Sequence, residues 1–223
     1  MKIFAVFSFR YDYKMVPDLL KNLEGIIDDY VFWDDRNRDE TDLYFHEGKT
    51  RNWLINEAKR KGADWILGID PDERFEKNAG TIIRQLIKEK KKIIYGFEYR
   101  ELWSPDSYRI DGVWGSKKKF SLFPVFPDQE FMSLRVHCQW HPVNPGYEFM
   151  ETGLNLYHLK MIDPRNREDR KKLYNQLDPH KNIQKIGYDY LANEENIKLE
   201  KIIAEKDYYP KYREDYDVKR FMD

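Results

Sequence analysis

The sequence predicts an α/β fold: a mostly parallel sheet flanked by helices, then a mixed β second half and a helical C-terminal appendage. Two observations carry this expectation. Apolar runs of strand length alternate with helically spaced segments through the first hundred residues, and such alternation favours parallel strands joined by helical crossovers. After about residue 103 the alternation stops, and short β-like pieces follow, broken by Pro, Gly and Asp.

The elements follow in order. Residues 2–8 form a first buried strand. Val16, Leu19, Leu20, Leu23, Ile26 and Ile27 recur at helical spacing, with Pro17 suited to a first turn. Tyr30 to Trp33 make a second short strand ending at Asp34 and Asp35, and a polar loop, Arg36 to Asp42, follows. Residues 50–61 read as a helix with Trp53, Leu54 and Ala58 on one side and Gly62 as its stop. A strand over 64–69 follows, then a helix near 79–90 carrying Ile82, Ile83 and Leu86, then a strand over 92–102. Further β-like pieces lie at 108–114, 118–126, 132–140 and 148–158. Two helices are expected at 165–177 and 181–205, and 207–223 reads as a loose, Tyr-rich docking tail.

Composition narrows the function classes. The chain has 223 residues, enough for one domain with an appendage and a core that needs no staples. Its 39 basic and 40 acidic residues leave a net charge of −1, which argues against a nucleic-acid partner. The lysine clusters at Lys88 to Lys92 and Lys117 to Lys119 read as solvated edges. Aromatic residues reach 16% and include 16 Tyr, which suits a core and equally suits sugar-binding surfaces. The single cysteine, Cys138, forms no intramolecular disulfide and fits a reducing, cytoplasmic setting. The apolar start ends at Arg10 without a cleavage site, and no segment has the length of a bilayer span.

Chemistry concentrates at two strand ends. The run Trp65 to Ile69 stops at Asp70-Pro71-Asp72-Glu73. In open α/β sheets ligands bind beyond the carboxyl ends of strands. Two carboxylates one residue apart can hold a divalent cation there, and the cation attracts phosphate. Asp215-Tyr216-Asp217 has the same spacing without a preceding strand, so spacing alone is not diagnostic; Asp also ends strands as a turn former. A second acidic pair, Asp34 and Asp35, ends the second strand on the same rim of a parallel sheet. One pair suits a base or ribose, and the other a metal. Alternatively, Asp34 and Asp35 only start a turn.

Together these blocks resemble family 2 glycosyltransferases of the GT-A fold, with its Rossmann-like sheet. The family shows Asp-Asp-x-Ser-x-Asp-x-Thr after the second strand; here Asp34-Asp35-Arg36-Asn37-Arg38-Asp39-Glu40-Thr41 stands, with Asn in the Ser place. The Gly-x-x-x-Arg-Asn helix is approached by Gly48-Lys49-Thr50-Arg51-Asn52, and Ala58, Gly62 and Asp70-Pro71-Asp72 follow in the family's order. The first strand departs from the pattern, with Arg10-Tyr11-Asp12 where Asn-Glu is common. The resemblance covers 1–102 well and 103–160 weakly. It implies a glycosyltransferase domain over 1–160, with a nucleotide-sugar half at 1–102 and an acceptor half at 103–160, followed by the appendage at 161–223.

The resemblance also implies roles. Asp34, Asp35, Arg51 and Asp70 would bind the sugar nucleotide. Asp70 and Asp72 would hold Mn or Mg, with His158 as a third ligand, since a strand-end His completes the metal site in related folds. His137 and His141 flank Trp140 and would line an acceptor pocket. Cys138 stands where a subgroup has a Glu base, so the base is open among Glu151, Glu148, Glu130 and His141. Trp103, Trp114 and Trp140 would offer indole faces to a glycan, or else fill the core. The implied reaction is inverting transfer from a nucleoside-diphosphate sugar to a hydroxyl on a saccharide, a lipid-linked saccharide or a protein, peripheral membrane contact being compatible with it. Two other readings stay open. One is a nucleotidyltransferase on a similar sheet, disfavoured because Phe9 to Lys14 lacks a Gly-rich basic loop. The other is a non-catalytic sugar-nucleotide or glycan-binding protein.

Overall fold

The structure is a computed structural model, and it describes residues 1–37, 47–89, 91–134, 138–182 and 184–216. Nine strands and four α-helices are described: β1 Ile3–Phe9, α1 Val16–Asn22, β2 Asp29–Asp34, α2 Glu47–Arg60, β3 Trp65–Gly68, β4 Glu73–Phe75, α3 Ala79–Leu86, β5 Ile93–Ser104, β6 Ser107–Arg109, β7 Lys118–Pro124, β8 Glu148–His158, α4 Pro164–Leu177 and β9 Leu199–Lys201. This is an open, mixed α/β sheet with helices on both faces.

The sheet runs β2-β1-β3-β7-β5, with β8 on the far edge of β5 and β4 on β8. β1 pairs in parallel with β2 and β3, and β5 pairs in parallel with β8. β7 is antiparallel to both β3 and β5. It follows that β1, β2, β3, β5 and β8 all point one way, and their carboxyl ends share one rim with the amino end of β7. That rim is where the acidic motifs meet.

Strict alternation builds the core on both faces, as expected for strands covered twice. Ile3, Ala5 and Phe7 of β1 join Trp65 and Leu67 of β3 and Leu19 of α1 and Ile83 of α3. Phe4 and Val6 point the other way, onto Leu54, Ile55 and Ala58 of α2. Gly62, at φ 88°, ends α2 in the left-handed region, as the sequence predicts. Pro17 lies in the first turn of α1.

Several expectations need correction. Trp53 is not on the packed face of α2: it is exposed and sets its edge against Trp33 at 5.0 Å. Ile82 likewise faces out, while Ile83 is buried. No strand forms from the described residues of 132–140. Phe131 and Pro142 make only an isolated bridge across this Pro-flanked loop. Residues 181–205 are not a helix. They hold two single turns, Asp189–Leu191 and Ala204–Lys206, and the strand β9, which extends the β5–β6 hairpin. Tertiary packing overrides helix propensity here: Tyr188 and Leu191 bury against Trp103, Trp114 and Met161. The described part of the tail is not loose. Tyr208 is fully buried beside Leu102, Tyr157 and Leu159, and Tyr216 bonds Asp18 of α1. Asp217 and His137 lie outside the described residues. Among the described residues no helix is long and apolar enough to cross a membrane.

Candidate active site

β3 ends at Gly68, and the chain turns sharply through Asp70 to Glu73. The turn is fixed from within by Arg74, which is fully buried and donates to the carbonyls of Pro71 and Glu73 at 2.7 Å and of Met15 at 3.2 Å. Gly68 leaves room for a neighbouring ring. A Cβ there would stand 2.3 Å from the Trp140 ring, so the indole packs flat against the strand end.

The two aspartates have different neighbours. The Asp70 carboxylate accepts from Lys119 of β7 at 2.8 Å. The same ammonium donates to Glu73 at 2.6 and 2.7 Å, and Glu73 accepts from the Asp70 amide at 2.9 Å. Burial opposes ionisation of Asp70, but Lys119 and then Arg51 outweigh it and hold its carboxyl below the usual range. Glu73 is wholly buried, and burial pushes it up to about 7 despite Lys119. Asp72 instead faces His158. Its Oδ2 stands 3.2 Å from His158 Nε2 and 3.8 Å from Lys160 Nζ. Burial opposes its ionisation, but His158, then Lys160 and Arg170, keep it a carboxylate.

His158, the last residue of β8, is oriented from behind. Its Nδ1 bonds Glu101 Oε2 at 2.5 Å, and Tyr99 stacks on its ring at 5.2 Å. Glu101, itself 2% exposed, also accepts from Lys117 at 2.9 Å. A carboxylate on one imidazole nitrogen fixes the tautomer and aims the other nitrogen at a ligand. Burial would lower the His158 pKa, yet Glu101 and Asp72 raise it to about 9.

The donor set can be compared with a metal's needs. Oδ2 of Asp72 and Nε2 of His158 are spaced as two adjacent donors to one ion, and Glu101 supplies the outer support that metal-binding His residues carry. Asp70 does not complete the set, because its carboxylate is turned to Lys119. Among the described residues no three His, Cys, Asp or Glu side chains converge as a metal site. With its pKa raised to about 9, His158 donates from Nε2 to Asp72, so the residues would fit an ion by exchanging that proton for it, the two protein donors then leaving its other positions to ligand and water.

The remaining predicted residues divide. Asp34 and Asp35 do reach the rim at the end of β2, beside Phe9 of β1. Asp34 is gripped by Arg36 Nε at 2.9 Å and Nη2 at 2.6 Å, and Asp35 lies 3.4 Å from Trp33 Nε1. Arg51 of α2 lies over the Trp140 ring at 4.2 Å, is fixed by Glu47 and the Cys138 carbonyl, and contributes to the field at Asp70. Glu151 is not brought to the aspartates. It is exposed, pairs with Lys118 at 2.9 Å, and stands seven residues back along β8 from His158. His141 is buried, bonds the Pro142 carbonyl at 2.9 Å and packs on Phe149, and burial lowers its pKa. The three indoles are all buried: Trp103 lies between Arg167 at 3.9 Å and Arg109 at 4.7 Å, with Trp114 edge-on. They fill the core and offer no glycan surface.

Sequence reasoning missed Lys119, Glu101 and Asp12. Lys119 was hidden in a run of three lysines; only the β3–β7–β5 pairing separates it from its neighbours. Asp12, in the turn after β1, is partly exposed and accepts from the Arg10 amide at 3.1 Å. Burial raises its carboxyl to about 6, with Lys160 pulling down and Asp72 pushing up.

No family model matches the chain, and no curated protein matches it. Among solved structures it is similar to the crystal structure of a glycosyltransferase involved in the glycosylation of the major capsid of PBCV-1, at 16% identity and a TM-score of 0.34, over 57% of this chain and 61% of that one.

Proposed function

We propose that the protein transfers a sugar from a nucleoside-diphosphate sugar to a hydroxyl acceptor, with a divalent Mn or Mg ion at Asp72 and His158. One observation carries the reading: a strand-end carboxylate and a carboxylate-backed imidazole from two distant strands face each other at 3.2 Å, on the rim that also bears Asp34 and Asp35. When bound, the ion supplies positive charge to the diphosphate as it leaves.

The chain's own groups do the rest. Glu101 holds the Nδ1 side of His158 and leaves Nε2 facing Asp72. Lys119 keeps Asp70 ionised, which suits Asp70 to accept from hydroxyls of the donor sugar or ribose. Asp34 and Asp35 are placed for the nucleoside. Removal of the acceptor proton needs a base with an open path, and inversion places it opposite the leaving group. Asp12, whose carboxyl feels the charges of Lys160 and Asp72, suits this role better than Glu151, tied to Lys118, or His141, tied to the Pro142 carbonyl. The acceptor is a saccharide, a lipid-linked saccharide or a protein, and the setting is cytoplasmic.

A thermal-shift panel of nucleoside diphosphates, with and without Mn, tests the proposal. A ligand that binds only the native state raises the midpoint by mass action. A rise that needs both nucleotide and metal supports the reading; no rise with any nucleotide contradicts it. The second reading, sugar-nucleotide binding without transfer, is favoured by the engagement of Glu151 with Lys118 and of His141 with the Pro142 carbonyl. Donor hydrolysis or transfer above background would dismiss it.

A further inference from the structure

α4 packs beside the site, and two of its arginines face different fates. Arg167 is buried and fully used: it donates to the carbonyls of Met161 at 2.6 Å and of Trp103 and Ile162 at 3.2 Å, and pairs with Glu194 at 2.5 Å. It anchors the helix. Arg170, just under one turn on, has no such set. Its guanidinium touches Met161 Sδ at 3.5 Å and Tyr174 Oη at 3.2 Å, and among the described residues no carboxylate lies within ion-pair distance of it. Lys160, on the segment joining β8 to α4, pairs among the described residues with Asp72, at 3.8 Å.

These groups share one electrostatic neighbourhood with the site. The charge of Arg170 is felt at Asp72 and at Glu101, where nearer cations, His158 with Lys160 or Lys117, already balance the acids. Tyr174 lies where the fields of Arg170, Lys160 and Glu47 at the start of α2 overlap. Arg170 and Tyr174, at i and i+4, bond each other on α4, and Arg170 touches Met161, the neighbour in the chain of Lys160, which reaches Asp72. A partly buried guanidinium, an ammonium and a phenol beside a candidate metal pair make a forked donor set for phosphate oxygens.

We infer that Lys160, Arg170 and Tyr174 form a phosphate-binding subsite adjoining Asp72 and His158. The inference deepens the proposed function and rests on it for the source of the phosphate: the donor's diphosphate, or a phosphate carried by the acceptor.

The test is calorimetric titration with inorganic pyrophosphate in magnesium buffer at fixed ionic strength. Arg170→Gln and Lys160→Gln should each weaken binding roughly ten- to a hundred-fold, the scale of a lost charge-assisted bond. Tyr174→Phe should weaken it less. Lys171→Gln, a matched charge change on the same helix, should do nothing. Arg170→Gln with an unchanged circular dichroism spectrum and wild-type pyrophosphate affinity overturns the subsite, as does a wild type that ignores pyrophosphate. The two proposals fail separately. A nucleoside diphosphate that outbinds pyrophosphate equally in wild type and Arg170→Gln leaves glycosyl transfer standing and removes the subsite. Arg170-dependent pyrophosphate binding to which a nucleoside adds nothing keeps the subsite and removes the transfer reading. With nucleoside diphosphate saturating, exclusion of inorganic phosphate assigns the subsite to the donor; continued Arg170-dependent binding of phosphate assigns it to the acceptor.

Discussion

Replacing Lys119 by Met removes the cation that Asp70 and Glu73 share. The ammonium lies 2.6–2.8 Å from three carboxylate oxygens, and the Glu73 side chain is 0% exposed. At about 2.7 Å and an effective dielectric near 20, one such pair attracts by roughly 6 kcal/mol. Desolvation offsets much of this; breaking a buried pair costs about 3–5 kcal/mol, and the loss here sits at the low end because Glu73, already raised to about 7, takes up a proton once the ammonium is gone. Lys119 keeps some contact with water, so the expected loss is about 3 kcal/mol in urea unfolding. Lys119→Met combined with Glu73→Gln removes the need for that proton yet keeps an acceptor for the Asp70 amide. The double-mutant cycle should therefore return about 2 kcal/mol of coupling. A loss under about 1 kcal/mol for Lys119→Met, or strict additivity of the two changes, would refute this account of the motif's support.

Gly68→Ala should cost about 1–3 kcal/mol by overpacking, because its Cβ would meet the Trp140 ring at 2.3 Å, and calorimetry would show the lower midpoint. Asp35→Ala should weaken nucleoside diphosphate binding roughly ten-fold while metal affinity stays unchanged, which parallel titrations would separate. Tyr208→Ala should cost about 3 kcal/mol, since this ring fills the core under β5 and bonds the Pro105 carbonyl at 2.9 Å; a loss below about 1 kcal/mol would mean that the tail is not part of the fold. Asp111 is held at about 2 mainly by its hydrogen bonds from Arg109. Its pKa is depressed on folding, so its contribution, about 1 kcal/mol after screening, is present above pH 4 and lost as pH falls toward 2. The stability gap between wild type and Asp111→Asn should close over that window.

Much of the first half was legible because its physics is local. β1 and β3 are apolar on alternate and then on both faces, and their ends carry the charges that a buried strand cannot. β8 was also legible, with the expected 148–158 matching Glu148–His158, and so was α4. What the sequence withheld depends on long-range pairing. Lys117, Lys118 and Lys119 look alike in the chain, yet β7 lies between β3 and β5 and sends them to Glu101, to Glu98 and Glu151, and to Asp70 with Glu73. The indoles were ambiguous for the same reason: Trp103 becomes core only once Arg109 and Arg167 close over it. Residues 181–205 have helix-forming composition, but the gain from burying Tyr188 and Leu191 outweighs it.

The central claim is that Asp72 and His158 together hold the ion that receives the diphosphate. Diffraction from a crystal grown with manganese and a nucleoside diphosphate, recorded at the metal's absorption edge, tests it most directly. The account predicts one anomalous peak within about 2.0–2.3 Å of Asp72 Oδ2 and His158 Nε2, with diphosphate oxygens on its open side and Asp70 still on Lys119. A peak lying more than about 5 Å from His158, or none near Asp72 with nucleotide bound, would contradict it.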